Sequence, residues 1–269
     1  MTLRQTGDGD VIPEWSGIQF RGGRLEVLDL PGAAPELLLL HEGLGSVSMW
    51  RDFPQRLAAA AGKRVIAYSR FGFGRSSPRT APYGLRFMHE EAEEMLPELR
   101  RRLAIERPVL VGHSTGASMA LLHAAHDTRG VAGVVAMAPL IDVEGSNLES
   151  IAAARESWRT TDWRDKLARH HDDVDAVFRG WNDTWLDPAF GAWTIAADLA
   201  RITCPVLAIL GEGDRYSSRA QLQALARHAT AACVETRVIA DAGHAPHRDA
   251  PREVLQAVAA FVAAAASAP

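Results

Sequence analysis

Six short, almost wholly apolar runs punctuate this chain of 269 residues, at 36–40, 64–69, 107–111, 133–137, 205–210 and 236–240. Between and after them lie stretches with helical spacing, at 50–61, 88–103, 117–125, 218–228 and 251–265. A strand that is apolar at consecutive positions has no face for water, so both of its faces must be covered. Apolar strands alternating with helices predict a mostly parallel sheet with helices on each side. Two extended runs around Gly22-Gly23 predict an antiparallel hairpin at the start. The expected architecture is α/β, with eight strands in all.

The alternation breaks once. From about Asp142 to Ile202 the chain is charged and helical in pattern, without a strand signal. Five of the seven tryptophans fall there: Trp158, Trp163, Trp181, Trp185 and Trp193. The expected division is a core domain of residues 1–141 and 203–269, with 142–202 inserted as a helical cap. Open α/β sheets bind ligands beyond the carboxyl ends of their strands, where such an insertion lies.

Gly112-His113-Ser114-Thr115-Gly116 joins the strand at 107–111 to the helix at 117–125. A serine between two glycines at a strand-to-helix junction has the pattern of a nucleophile elbow. Serine is a weak nucleophile at neutral pH and needs a general base. His244, in the loop after the last strand, is the expected base, with His247 as rival. His113 adjoins the serine, but a sharp turn points its side chain elsewhere. His123, His126, His170 and His171 fall on helical stretches and are expected at the surface. The base needs an orienting carboxylate. Asp214, after the strand at 205–210, is the expected one, with Glu212 and Asp142 as alternatives. An oxyanion hole needs backbone donors. These are expected from Thr115 and from Gly43, or alternatively Leu44, in the loop after residue 40.

A net charge of -4 leaves no basic excess for phosphate neutralisation, so nucleic acid is not expected as a partner. The first ten residues lack the apolar core of a signal peptide, and no run is apolar enough to span a bilayer. A cytoplasmic location, no membrane association and a monomer or homodimer are the expectations. Cys204 and Cys233 sit beside core strands without metal-ligand spacing and are expected to be buried. The glutamates at 90–91 and 93–94 are expected on a solvated helix face. Phe71 to Ser77 lacks the third glycine of a dinucleotide-binding loop and is expected to be structural.

Taken in order, these motifs resemble the α/β-hydrolase superfamily. His41-Glu42-Gly43-Leu44-Gly45 stands where that family has a His-Gly oxyanion loop, and Arg70 to Ser76 resembles its Gly-x-Gly-x-Ser loop. Gly112 to Gly116 matches the elbow, and Asp214 and His244 match the acid and histidine positions. Glu42 departs from the usual glycine and brings a carboxylate near the substrate. Ala245 stands where carbon–carbon hydrolases of the family carry tryptophan, and Ser114 where epoxide hydrolases and dehalogenases carry aspartate. The resemblance implies hydrolysis of a small or medium apolar carboxylic ester through an acyl-enzyme, with no metal or organic cofactor. Carbon–carbon hydrolysis, lyase or acyl-transfer chemistry with the same three residues is the alternative, and a ligand receptor on the same fold is a further one. Glu42, Trp50, His113, Trp158, Trp181 and Trp185 are the candidate pocket residues.

Overall fold

The computed structural model describes residues 3–5, 11–13 and 16–266. Most of the first ten residues and the last three therefore lie outside the described part. A two-stranded ribbon, β1 (Leu3–Gln5) with β2 (Val11–Pro13), precedes the main sheet. The sheet holds β3 (Ser16–Phe20), β4 (Gly23–Leu30), β5 (Ala33–Leu40), β6 (Lys63–Tyr68), β7 (Val109–His113), β8 (Gly133–Met137), β9 (Val206–Gly211) and β10 (Val234–Ile239). Their spatial order is β10-β9-β8-β7-β5-β6-β4-β3. Every pairing from β10 to β6 is parallel, while β4 and β3 are antiparallel.

The apolar runs divide their side chains between two layers, because successive residues of a strand face opposite sides. Leu38 and Leu40 of β5, Leu110 of β7 and Ala208 of β9 pack in one cluster. Leu37, Leu39, Val111 and Ile209 pack in the other. Helices α2 (Phe87–Glu90), α3 (Leu96–Arg102) and α4 (Thr115–His126) cover the first face. Helix α1 (Phe53–Ala61), after a 3-10 turn at Val47–Trp50, covers the second with the C-terminal helix.

One π-helical turn, Glu91–Met95, joins α2 to α3. The turn carries Glu91 inward, where its carboxylate accepts from the Tyr68 hydroxyl at 2.6 Å. Glu91 is thus buried instead of lying on the solvated face its neighbours suggest, and burial raises its pKa. His123, expected at the surface, is buried on α4. It donates through Nδ1 to the Ala92 carbonyl at 2.6 Å and lies 2.8 Å from the Arg100 guanidinium. Cys204 is buried as expected, but Cys233 is exposed because it leads into β10, an edge strand with mostly open side chains.

Between β8 and β9 the chain forms α5 (Gly145–Thr160), α6 (Trp163–Ala168), α7 (Val174–Trp185), a 3-10 turn at Pro188–Ala192 and α8 (Ala196–Leu199). An isolated bridge, Asp142 to Thr194, closes the base of this segment. After β9 come α9 (Arg219–His228), then β10, α10 (Pro246–Asp249) and α11 (Pro251–Ala266). Among the described residues no helix is long and apolar enough to cross a membrane.

Candidate active site

Strand order reverses at β5 and β7: the chain steps from β5 outward to β6, then returns to place β7 on the other side of β5. Such a reversal opens a crevice at the carboxyl ends of the two strands. The loops leaving those ends carry Glu42-Gly43-Leu44 and Ser114.

Ser114 sits at φ 54 and ψ -121, a left-handed backbone that a non-glycine residue adopts at a cost of about 1–3 kcal/mol. Its N–H donates to the Met137 carbonyl at 2.8 Å, which fixes the turn. The flanking glycines are required by close approach. A Cβ on Gly112 would collide with the Gly116 carbonyl, and one on Gly116 with the carbonyls of Leu40 and His41. Helix α4 starts immediately, so its N-terminal N–H groups and dipole face the space above the serine.

The loop after β5 is held by buried polar groups. Arg70 donates to the carbonyls of His41, at 2.6 Å, and Glu42, at 2.8 Å. His41 donates from Nδ1 to the Glu42 carbonyl and accepts the Arg70 N–H at Nε2, which makes it the neutral ring. Burial, with Arg70 beside it, lowers its pKa well below the usual histidine range. Among the described residues no group accepts from the N–H of Gly43, Leu44 or Thr115.

His244 places Nδ1 2.9 Å from both carboxylate oxygens of Asp214. The Asp214 side chain is only 1% exposed and also accepts the N–H groups of Tyr216 and Ser217 on Oδ1. Its carboxylate is thereby locked, and Nδ1–H is the tautomer it selects. Nε2 is left to accept a proton. Neither this nitrogen nor the Ser114 hydroxyl has a hydrogen-bond partner among the described residues. Both residues line one cavity of about 170 Å³.

Glu42, Gly43, Leu44, Thr115, Trp181 and Trp185 line the same cavity. Trp50, His113 and Trp158 do not. Trp50 is buried beside Phe53 and His247, behind the site. Trp158 stacks on Phe178 with ring centroids 4.0 Å apart. His113 lies behind His244, donating from Nε2 to its carbonyl at 2.6 Å. The other ring nitrogen of His113 is 3.4 Å from the Glu42 carboxylate, a charge contact too long for a good hydrogen bond. Burial alone would raise the Glu42 carboxyl, but the His113 ring beside it outweighs burial and holds its pKa well below the usual range. His247, the rival base, is buried against Trp50, Phe53 and His113 and does not reach the cavity. Of the alternative acids, Glu212 pairs with Arg219 and Asp142 accepts from Gln221.

The remaining lining comes from Met49, Leu140, Asn147, Ile151, Trp163, Leu167 and Tyr216. Tyr216 was within reach of the sequence, two residues after Asp214 in the same loop. Asn147 is buried with both polar side-chain atoms unpartnered. His170 and His171 hold the helical segment to the core instead of standing in solvent. His170 bonds Ser48 at 2.8 Å, and His171 accepts from the Gly74 N–H at 2.8 Å and donates to the Leu44 carbonyl at 2.9 Å. A larger groove of about 780 Å³ lies outside the crevice, between α7 and residues 72–85, and holds neither Ser114 nor His244.

A model of the alpha/beta hydrolase family matches residues 37–257, most of the chain. The chain belongs to that family. A proline iminopeptidase of Levilactobacillus brevis is 35% identical over 108 residues, which cover 40% of this chain and 36% of that protein. The chain thus matches about a third of the length of this relative. An sn-1-specific diacylglycerol lipase of Mus musculus is 25% identical over 88% of this chain and 84% of its own. The crystal structure of proline iminopeptidase from Mycobacterium smegmatis superposes with a TM-score of 0.71 at 18% identity, covering 94% of this chain and 98% of that one. For this hydrolase-family member, that last likeness speaks to fold alone.

Proposed function

We propose that this chain is a serine hydrolase that cleaves small or medium apolar carboxylic esters through an acyl-enzyme. One observation carries the reading: Ser114, held at positive φ on the elbow, shares a cavity with a histidine whose Nδ1 is fixed by a buried carboxylate. In the proposed reaction Ser114 attacks the ester carbonyl while His244 Nε2 takes its proton. Asp214 holds the tautomer and stabilises the imidazolium. The free N–H groups of Gly43 and Thr115 receive the oxyanion. His244 then protonates the leaving alcohol and activates the water that releases the acid.

An ester is favoured over an N-terminal peptide by the lining. A peptide amine would need a carboxylate free to receive it. The only carboxylate among the residues lining the cavity is Glu42, which faces the His113 ring at 3.4 Å. The rest is largely aliphatic and aromatic, which suits an acyl chain.

The test is a panel of p-nitrophenyl esters, lactones and prolyl arylamides, with fluorophosphonate labelling in parallel. Ester turnover is expected to vanish in Ser114→Ala, together with the label. Unchanged ester turnover in folded Ser114→Ala, or prolyl arylamides as the preferred substrates, would overturn the reading.

A further inference from the structure

The chain has two asparagines, Asn147 and Asn182, and each is only 1% exposed. Asn182 is bonded at both ends of its amide. Its oxygen accepts from the Arg155 guanidinium at 2.7 Å, and its NH₂ donates to the Ile151 carbonyl at 2.8 Å. Asn147 has no such role in the packing: no described residue meets its Oδ1 or its Nδ2. It lines the cavity that holds Ser114 and His244.

Its position is held from both sides. Asn147 lies in the first turn of α5, which is tied to the loop that carries Asp214. Before it, the Glu144 carboxylate accepts from the Ser218 hydroxyl at 2.8 Å; after it, the Ser150 hydroxyl donates to the Arg215 carbonyl at 2.8 Å. Ile151, one turn on, lines the same cavity, so this face of α5 is the one turned inward. Exchanging the amide oxygen and nitrogen would change nothing, because both are unpartnered.

A water can meet such a group in the free protein. A substrate that fills the cavity then replaces the bonds of that water, leaves it in place or leaves the amide unmet. An alkyl chain against Asn147 takes the last course, and an unmet buried polar group is costly. A carboxamide both accepts and donates, so its match is a neutral group that does both. Glu42 lines the same cavity and opposes an anion there. At about 170 Å³ the cavity is small beside ordinary ligand pockets of about 300 Å³ or more, and a hydroxyl is the smallest group with both capacities.

We propose that Asn147 is a specificity residue that hydrogen-bonds a hydroxyl of the substrate, so that the preferred substrates are short esters with a free hydroxyl on the acyl or the alcohol part. This deepens the hydrolytic reading of the cavity and rests on it.

Binding tests this without turnover. Two pairs of esters of matched shape are titrated into the Ser114→Ala protein and followed by NMR. One pair is 2-hydroxyethyl butyrate against propyl butyrate; the other is methyl 3-hydroxybutyrate against methyl 3-methylbutyrate. In one pair the hydroxylated ester is expected to bind at least about fivefold more tightly, the lower end of what meeting a buried polar group is worth. That pair tells which part of the ester carries the hydroxyl. Adding Asn147→Leu, which keeps the shape without the polar atoms, is expected to bring the ratio to one or below, as is Asn147→Ala in a separate variant, with folding checked by circular dichroism. A loss of packing alone weakens both members of a pair and leaves their ratio. Ratios near one in both pairs, no measurable binding of either hydroxylated ester, a ratio that survives in a folded variant, or failure of both variants to fold would overturn the assignment. Ester turnover by the unmodified protein is measured alongside. Turnover with equal affinities removes the role of Asn147 alone, and unequal affinities without turnover remove the hydrolytic reading alone.

Discussion

Asp214→Asn isolates the part of the site that sets a tautomer from the part that holds the fold. The two backbone N–H groups of Tyr216 and Ser217 both bond Oδ1, at 2.8 and 3.1 Å. They orient the asparagine so that its oxygen replaces Oδ1 and its NH₂ replaces Oδ2. His244 Nδ1 is 2.9 Å from each of those positions. An N–H then faces an N–H, and the ring relieves the clash by moving its proton to Nε2. In that state Nε2 cannot accept from Ser114. The loss expected from disabling the base this way is about four orders of magnitude in kcat. At 1.36 kcal/mol per tenfold, that is about 5.4 kcal/mol of transition-state stabilisation. The fold loses only the charged share of one hydrogen bond, about 1–2 kcal/mol. The assay pairs steady-state hydrolysis of p-nitrophenyl butyrate with a urea unfolding curve. An asparagine variant that keeps a tenth of the activity, or that loses activity only by unfolding, refutes the assignment.

Acid should weaken the fold through His171 and His123. Burial, the main cause for each, lowers their pKa values to about 4 from the ordinary 6.5. The unfolded chain binds their protons first, so stability is full above about pH 6.5 and falls as pH drops towards 4. Thermal melts at pH 7.5 and 4.5 should show that drop, and it should shrink in His171→Gln. Gly116→Ala drives a methyl into the carbonyls of Leu40 and His41. It should cost about 3 kcal/mol or more in urea unfolding, at the top of the range for overpacking. Trp181→Ala removes an indole that lines the cavity and packs on Gly43. The kcat/KM ratio of octanoyl to butyryl esters should rise about tenfold, the scale of one methylene's discrimination in an apolar pocket.

The sheet and the elbow were legible because both are written in consecutive residues. Leu37 to Leu40 declare two buried faces within four positions, and Gly112 and Gly116 bracket Ser114 within five. Asp214 and His244 were legible from chain order, since each follows a strand whose carboxyl end points the same way. What the sequence concealed depends on partners far along the chain. His171 is buried by Gly74 and Leu44, about a hundred residues away, and no local spacing announces that. Glu91 turns inward because a π turn changes which face its position occupies. Trp50 and Trp158 are aromatic like Trp181, yet only the last of these lines the cavity. Residue type fixes appetite for burial, and the packing of neighbouring elements chooses which interior receives it.

The three residues His170, His171 and Asp172 form a corner between α6 and α7 that bonds Ser48, Gly74 and the Leu44 carbonyl at once. The peptide of Leu44 belongs to the loop whose Gly43 and Leu44 N–H groups have no acceptor among the described residues. Lifting the corner frees that carbonyl and the Gly74 N–H together, and leaves the loop without its outer brace. The helical segment and the loop beneath it are thus tied at two points, by the His171 imidazole on the Leu44 carbonyl and by the Trp181 indole on Gly43.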